Sequence, residues 1–359
     1  MVRRLTRRKS AGICQTIKCY NVHVILITSS YDSMITAGDL RFRMYITLIL
    51  SFAIGFGIIY ALLLYAGAGI YPIVAIAALF FLFQWYISPH IMAMFSRIRY
   101  IKDDEYPQLH KLVEELSQQA DVPVPRIAIA PAKEPNAFVF GRTRKSATLV
   151  VHEGLLPLLD ANELRAVLAH EIGHLKHNDI VVITMVSFIP LLAYIVAQSL
   201  LFSSIFGGSR NNDSYLVLFG LIAFVVYFIS ELLMLSLSRV RESFADEYSA
   251  NSTQQPGYLA SALLKITASN SANQKPSQDS TIARSLYIMD FFSADKDIAE
   301  IREHMPELKR LLPGVNIETL LAGSKPKHSL FGGLNSLFAT HPPTYRRLID
   351  LAEINDRLR

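Results

Sequence analysis

His170, Glu171 and His174 stand in the string His-Glu-Ile-Gly-His. On a helix, residues i and i+4 lie about 40° apart on one face and roughly 6 Å apart along the axis. Two imidazoles so placed can share one Zn²⁺ at about 2.0–2.1 Å. Glu171 stands beside them and can take a proton from water that the metal has made more acidic. This is the chemistry of metal-assisted hydrolysis. The string also falls where the geometry needs it, on a segment with a helix-start signal, because Asp160 reads as an N-cap with Glu163 three residues on.

A catalytic zinc needs a third protein ligand and an open position. The metzincin spacing would put a glycine at position 177 and a histidine at 180, whereas the chain has His177 and Ile180. That subclass is excluded. His177 shares the face of His170 two turns along, and joining both other imidazoles on one ion would strain the geometry. It falls to a place behind the ligands or at the surface. Glu242, in Arg241-Glu242-Ser243-Phe244-Ala245-Asp246, is the candidate third ligand. The chain between His174 and Glu242 reads as an up-and-down hairpin of two membrane helices, which returns to the face it left. Asp246 shares the helical face of Glu242 and can accept the remaining ring N–H of a ligand histidine. Without that closure, Glu242 would read as a solvated surface carboxylate.

The elements that must position these groups follow from charge and hydropathy. Residues 1–43 form a basic N-terminal extension whose apolar run, Val22 to Ile27, is too short to span a bilayer. It reads as a tail or as an upstream start ahead of Met34 or Met44, with a signal peptide as the weaker reading. Residues 44–95 hold no charged side chain from Met44 to Phe95 and read as two spans, turning near Ala66-Gly67-Ala68-Gly69. Residues 96–178 form a soluble catalytic segment. It holds a helix around Tyr106 to Ala120, a strand Arg126 to Ala130, and a hairpin of Ala137 to Gly141 with Ala147 to Val151. Residues 179–238 are the membrane hairpin, with spans Ile180 to Gly208 and Tyr215 to Ser238 about a polar turn at Ser209 to Asp213. Residues 239–359 form a second soluble, largely helical segment with a Ser/Asn/Gln-rich loop near 268–281. Glu231, inside the fourth span, points the same way as Glu242 about 16 Å deeper. It either lines a substrate groove or is satisfied inside the bundle.

The chain has 359 residues, of which 51% are hydrophobic and only 18% charged. A soluble domain carries about a quarter charged residues, so the shortfall fits a membrane protein with one modest soluble domain. The net charge of +5 sits beside the spans and reads as a topology signal, not a nucleic-acid footprint. The basic tail, Arg97, Arg99, Arg239 and Arg241 share one side, which the positive-inside rule makes cytoplasmic. Cys14 and Cys19 both lie in the extension, so there is no disulfide framework or Cys-rich zinc site.

Three motifs in order, His-Glu-Ile-Gly-His-Leu-Lys-His-Asn-Asp, Arg-Glu-Ser-Phe-Ala-Asp, and Thr340-His341-Pro342-Pro343 with Arg347, resemble the HtpX-type membrane metalloproteases, relatives of the type 1 CAAX prenyl protease. The resemblance covers residues 40–359. It implies a mainly α membrane protein with four transmembrane helices and a cytoplasmic α+β gluzincin domain with a small β-sheet. It implies one Zn²⁺ per chain held by His170, His174 and Glu242, with Glu171 as general base. It further implies that His341 and Arg347 bind the oxyanion, and that Asn136, Ala137 and Phe138 belong to an edge strand pairing with extended substrate. The two prolines stiffen the segment after His341, which suits a donor held at a set distance; a mere capping turn is the bland alternative. The implied function is stress-response quality control, cutting unfolded or membrane-protein substrates from the plasma membrane. A dedicated CAAX-type processing protease and a catalytically silent membrane scaffold are the competing readings. Four spans argue against the first, and the intact His-Glu-x-x-His string argues against the second.

Overall fold

A computed structural model of the chain describes Ile46, Leu50 and residues 70–206, 213–272, 294–322 and 341–358. The chain divides into two units, Met1–Ile46 and Thr47–Arg359, and every described residue but Ile46 belongs to the second. The basic extension, the first expected span with its turn apart from Ile46 and Leu50, and most of the turn at 209–213 lie outside the described residues.

Helix α1, Ile70–Phe95, covers the second expected span and leaves large apolar side chains such as Leu79, Phe83 and Met94 exposed. Arg97, in left-handed conformation at φ 47°, ends it. Strand β1, Arg99–Tyr100, then opens a four-stranded mixed sheet of order β1-β2-β4-β3, with β2 at Arg126–Ala130, β3 at Ala137–Phe140 and β4 at Thr148–His152. β2 and β4 run parallel, and the other two pairs are antiparallel. The β3–β4 hairpin matches the reading of the sequence, while β1, two residues long, is new. Helix α2, Pro107–Ala120, starts on a proline that needs no N–H partner and buries Leu109, Val113, Leu116 and Ala120 on one stripe.

Period-two alternation gives the sheet two apolar faces. Ile127, Ile129, Leu149 and Val151 join the main core, whereas Ala128, Ala130, Phe138, Phe140 and Val150 pack with Met92, Ala93 and Ile98 around the end of α1. The hairpin loop is tied to α1 as well. Arg142 donates to the Tyr86 carbonyl at 2.8 and 3.2 Å and lies over the Tyr86 ring.

Helix α3, Ala161–Lys176, runs through the middle, with Ala166, Val167, Leu168, Ala169, Ile172 and Leu175 fully buried. Its capping box is present. Asp160 Oδ1 accepts from the N–H groups of Asn162 and Glu163, and Glu163 returns a carboxylate oxygen to Asp160 N–H, all at 2.9 Å. Glu163 also accepts from Ser261 and Lys265, each at 2.6 Å. Those two residues lie on α6, Pro256–Ala272, which occupies the start of the stretch read as a polar loop near 268–281.

Helices α4, Asp179–Phe206, and α5, Asp213–Thr253, pair closely. Gly220 permits the approach, since a Cβ there would lie 2.8 Å from the Leu201 side chain. Both are long and apolar enough to cross a membrane, over Asp179–Phe202 and Val217–Thr253. α5 does not stop where the fourth span was read to end at Ser238. Its 41 residues extend about 60 Å, twice the apolar thickness of a bilayer, and carry the helix on into the catalytic region. Short helices α7, Ala294–Glu303, α8, Met305–Leu311, and α9, Ile317–Leu321, complete the core with α10, Thr344–Leu358, whose Leu348, Leu351 and Ala352 are fully buried.

The capping network yields a ranking. Asp160→Ala removes one cap and should cost about 1 kcal/mol. Glu163→Ala should cost more, because it also strands Lys265 and Ser261. Thermal unfolding in detergent checks this; an equal or greater loss for Asp160→Ala would contradict it.

Candidate metal centre

α3 and α5 meet at Gly173. A Cβ there would come 3.2 Å from the Ala245 Cα and 3.1 Å from the Tyr248 ring, so the glycine within the His-Glu-Ile-Gly-His string is what lets the two backbones close. Ser249 locks the crossing by donating to the Ala166 carbonyl at 2.7 Å. The approach brings the histidines of α3 against the carboxylates of α5.

The rings of His170 and His174 are 4.8 Å apart and perpendicular. His170 Nε2 lies 3.4 Å from Glu242 Oε2, and His174 Nε2 lies 3.5 Å from Glu242 Oε1. Glu171 belongs to the same cluster, with one carboxylate oxygen and one nitrogen from each histidine within 4.8 Å of one another. Glu242 faces both Nε2 atoms, one with each carboxylate oxygen. Donor atoms around a tetrahedral ion at 2.0–2.1 Å are about 3.4 Å apart, which is close to the spacing each Nε2 shows to a Glu242 oxygen. His170 Nε2 and Glu242 Oε2 are moreover buried without a hydrogen-bond partner. Such orphaned atoms are costly unless something binds them. A zinc ion fits this donor set.

Each histidine leans on a further acid. His170 Nδ1 lies 2.8 Å from Asp246 Oδ1, though off the line of a well-aligned hydrogen bond. His174 Nδ1 lies 2.6 Å from Asp179 Oδ2. Burial works against a charge on His170, but contact with Asp246 and Glu242 overcomes it and pushes the imidazole up to about 10. The pocket therefore favours positive charge at that point. Burial is also the largest influence on Glu171 and raises it above the usual carboxylate range, against the opposing pull of His174 and His170.

The Thr340-His341-Pro342-Pro343 segment leads into α10, and His341, Pro342 and Pro343 are described. His341 is buried, with Nδ1 3.2 Å from Glu242 Oε2. Arg347, one turn into α10 and 1% exposed, also reaches toward that oxygen, at 3.7 Å from Nη1. Its fork is turned elsewhere: Nε and Nη2 donate to the two oxygens of Asp246 at 2.8 and 2.7 Å. The guanidinium read as an oxyanion donor is thus largely engaged in holding Asp246, and burial among these carboxylates leaves it firmly protonated. His177 lies apart from the cluster, its ring against Phe244 and Tyr248 of α5.

Asn136, Ala137 and Phe138 have buried side chains at the start of β3, an edge strand of the sheet that lies against α3. The Asn136 carbonyl accepts from His152 N–H at 2.9 Å. With the observed register, alternation then turns the peptide groups of Ala137 and Val139 to the open edge. What β3 offers a partner is backbone. Glu231 is half-buried on α5, one turn beyond Tyr227, whose ring packs on Tyr194 at 5.5 Å.

Two residues escaped the reading of the sequence. Asp179 sits inside the quoted motif string, five residues after His174, and that spacing was an available signal. Asp297, buried on α7, accepts from Thr344 Oγ1 at 2.5 Å and fixes the start of α10 just behind His341. Nothing in the sequence around it points there.

The peptidase family M48 model matches residues 103–355 of the chain. A protease HtpX homolog of Methanothermobacter thermautotrophicus is 40% identical over 234 residues, covering 63% of this chain and 85% of that one. Protease HtpX homolog 1 of Streptomyces coelicolor is 34% identical over 80% of this chain and 83% of its own. A homolog from Aeropyrum pernix is 31% identical over 82% and 89%. Among solved structures, S. mikatae Ste24p aligns over 94% of this chain and 74% of its own, with 20% identity and a TM-score of 0.46.

The Arg347 fork carries its own test. Arg347→Ala leaves Asp246 as a buried carboxylate without its cation, a loss of about 3–5 kcal/mol. Adding Asp246→Asn should recover part of that stability. Wild-type unfolding of the single variant would show that Arg347 does not hold Asp246.

Proposed function

The chain belongs to peptidase family M48, among its HtpX-type proteases, and from that premise we propose that it is a zinc-dependent membrane endopeptidase that cuts unfolded or damaged membrane proteins. The observation that carries the reading is Glu242 facing both Nε2 atoms of His170 and His174 at ligand spacing.

In this reading His170, His174 and Glu242 hold one zinc ion per chain. When bound, the ion polarises the scissile carbonyl and makes water a stronger acid. Glu171 takes the proton of the attacking water on its carboxylate, the water oxygen bonds to the carbonyl carbon, and the same proton passes to the amide nitrogen as the C–N bond breaks. His341 donates to the oxyanion that develops on the carbonyl. Arg347 acts chiefly one step back, through Asp246 on His170. An extended substrate adds to β3 through the outward peptide groups of Ala137 and Val139. Backbone pairing of that kind accepts many sequences, which suits disposal of damaged proteins better than processing of one defined terminus.

The membrane arrangement belongs to the same proposal. Four spans, two of them α4 and α5, hold the catalytic segments at the cytoplasmic face of the plasma membrane. The basic residues flanking the spans support this orientation.

Glu171→Gln should keep its zinc by metal analysis and lose at least about a hundredfold in casein hydrolysis, within the usual weight of a general base. Near-wild-type turnover would remove Glu171 from that role. For the topology, Cys14 and Cys19 are replaced and single cysteines are set at Ser209 and at exposed Glu353. An impermeant thiol reagent on intact cells should label position 209 and spare 353. The reverse pattern would overturn the orientation.

A further inference from the structure

α4 begins immediately after α3, across Asn178, whose φ of 61° turns the chain sharply. Its first residue, Asp179, is 3% exposed and meets two partners with one oxygen: Oδ2 is hydrogen-bonded to His174 Nδ1 at 2.6 Å and forms an ion pair with Arg241, 3.2 Å from Nε but off the line of a well-aligned hydrogen bond. Arg241 lies on α5, next to Glu242. An imidazole that offers Nε2 to a metal must keep its proton on Nδ1, and an acceptor there fixes both the tautomer and the plane of the ring. Two chains of contact therefore run side by side: Arg347 to Asp246 to His170, and Arg241 to Asp179 to His174. The first is built from α5 and α10. The second uses only the membrane hairpin, its carboxylate from the start of α4 and its guanidinium from α5.

We propose that Asp179 is a positioning residue for His174, held in turn by Arg241, so that the two helices of the membrane hairpin set one metal ligand through a single carboxylate. The proposal rests on the reading of His170, His174 and Glu242 as zinc ligands. The competing role for Asp179 is local: an acid in the first turn of α4 favours the helix dipole. The two roles separate by side-chain reach. Serine or alanine at 179 removes both charge and contact, whereas asparagine removes the charge but keeps an oxygen within reach of Nδ1.

The test measures zinc affinity of the full-length chain in detergent by competition with a chromogenic chelator, with helicity followed by circular dichroism. Asp179→Ser should raise the zinc Kd about 10–100-fold, and Asp179→Asn should recover most of that loss. Asp179→Ala supplies the same readout if the serine variant does not fold. Wild-type affinity in a folded serine or alanine variant overturns the proposal, as does equal weakness of asparagine and serine, which would make charge the only contribution. His174→Ala separates this from failure of the underlying reading. If His174→Ala binds zinc as tightly as wild type, the ligand assignment falls. If it binds weakly while Asp179→Ser does not, Asp179 alone loses its role.

Discussion

The close crossing of α3 on α5 is the constraint from which the rest follows. It depends on a residue without a side chain, Gly173, against the backbone at Ala245. Only at that separation can a carboxylate on α5 face two imidazoles on α3 at 3.4 and 3.5 Å. Because α5 is one unbroken helix from Asp213 to Thr253, the element that supplies Glu242 and Asp246 is also one long and apolar enough to cross a membrane. The cluster of His170, His174 and Glu242 is therefore not carried on a separate appendage. Its α5 side is the continuation of that apolar helix, and its geometry is set by how the helix packs.

Electrostatics around the crossing is organised in the same way. Glu171, Glu242, Asp246 and Asp179 are all nearly inaccessible, and among the described residues the guanidinium groups opposing them are those of Arg347 and Arg241. Four carboxylates against two guanidiniums leave two negative charges over, and burial makes such an excess costly unless a cation balances it. A divalent ion between His170, His174 and Glu242 would do so. The same excess appears at His170, where burial opposes a charge but contact with Asp246 and Glu242 raises the imidazole pKa. Metal binding and proton release are then two sides of one balance.

Much of this was legible in the sequence because it is local or periodic. The capping box at Asp160 and Glu163, the β3–β4 hairpin and the uncharged stretches of α1, α4 and α5 follow from short-range rules. Glu242 was singled out by a topological argument, that a hairpin of two spans returns the chain to its starting face, and it lies against His170 and His174. Apart from Asp179, five residues after His174, what was missed is non-local. Strand β1 exists because its two residues meet Ala128 and Ile129, and so short an element has no periodicity to read. Asp297 matters only because α7 packs against the start of α10. The fork of Arg347 on Asp246 joins residues 101 positions apart, and the resemblance, which implied an oxyanion role for the arginine, gave no sign of it. The first expected span, apart from Ile46 and Leu50, and the basic extension lie outside the described residues.

The central claim is that α5 supplies the third ligand. X-ray absorption at the zinc edge of the purified, zinc-loaded chain tests it most directly. The account predicts two imidazole nitrogens and carboxylate oxygen at about 2.0–2.1 Å, with one imidazole lost in His174→Ala and the carboxylate oxygen lost in Glu242→Ala. A wild-type spectrum requiring three imidazoles, with Glu242→Ala leaving it unchanged, would contradict the account.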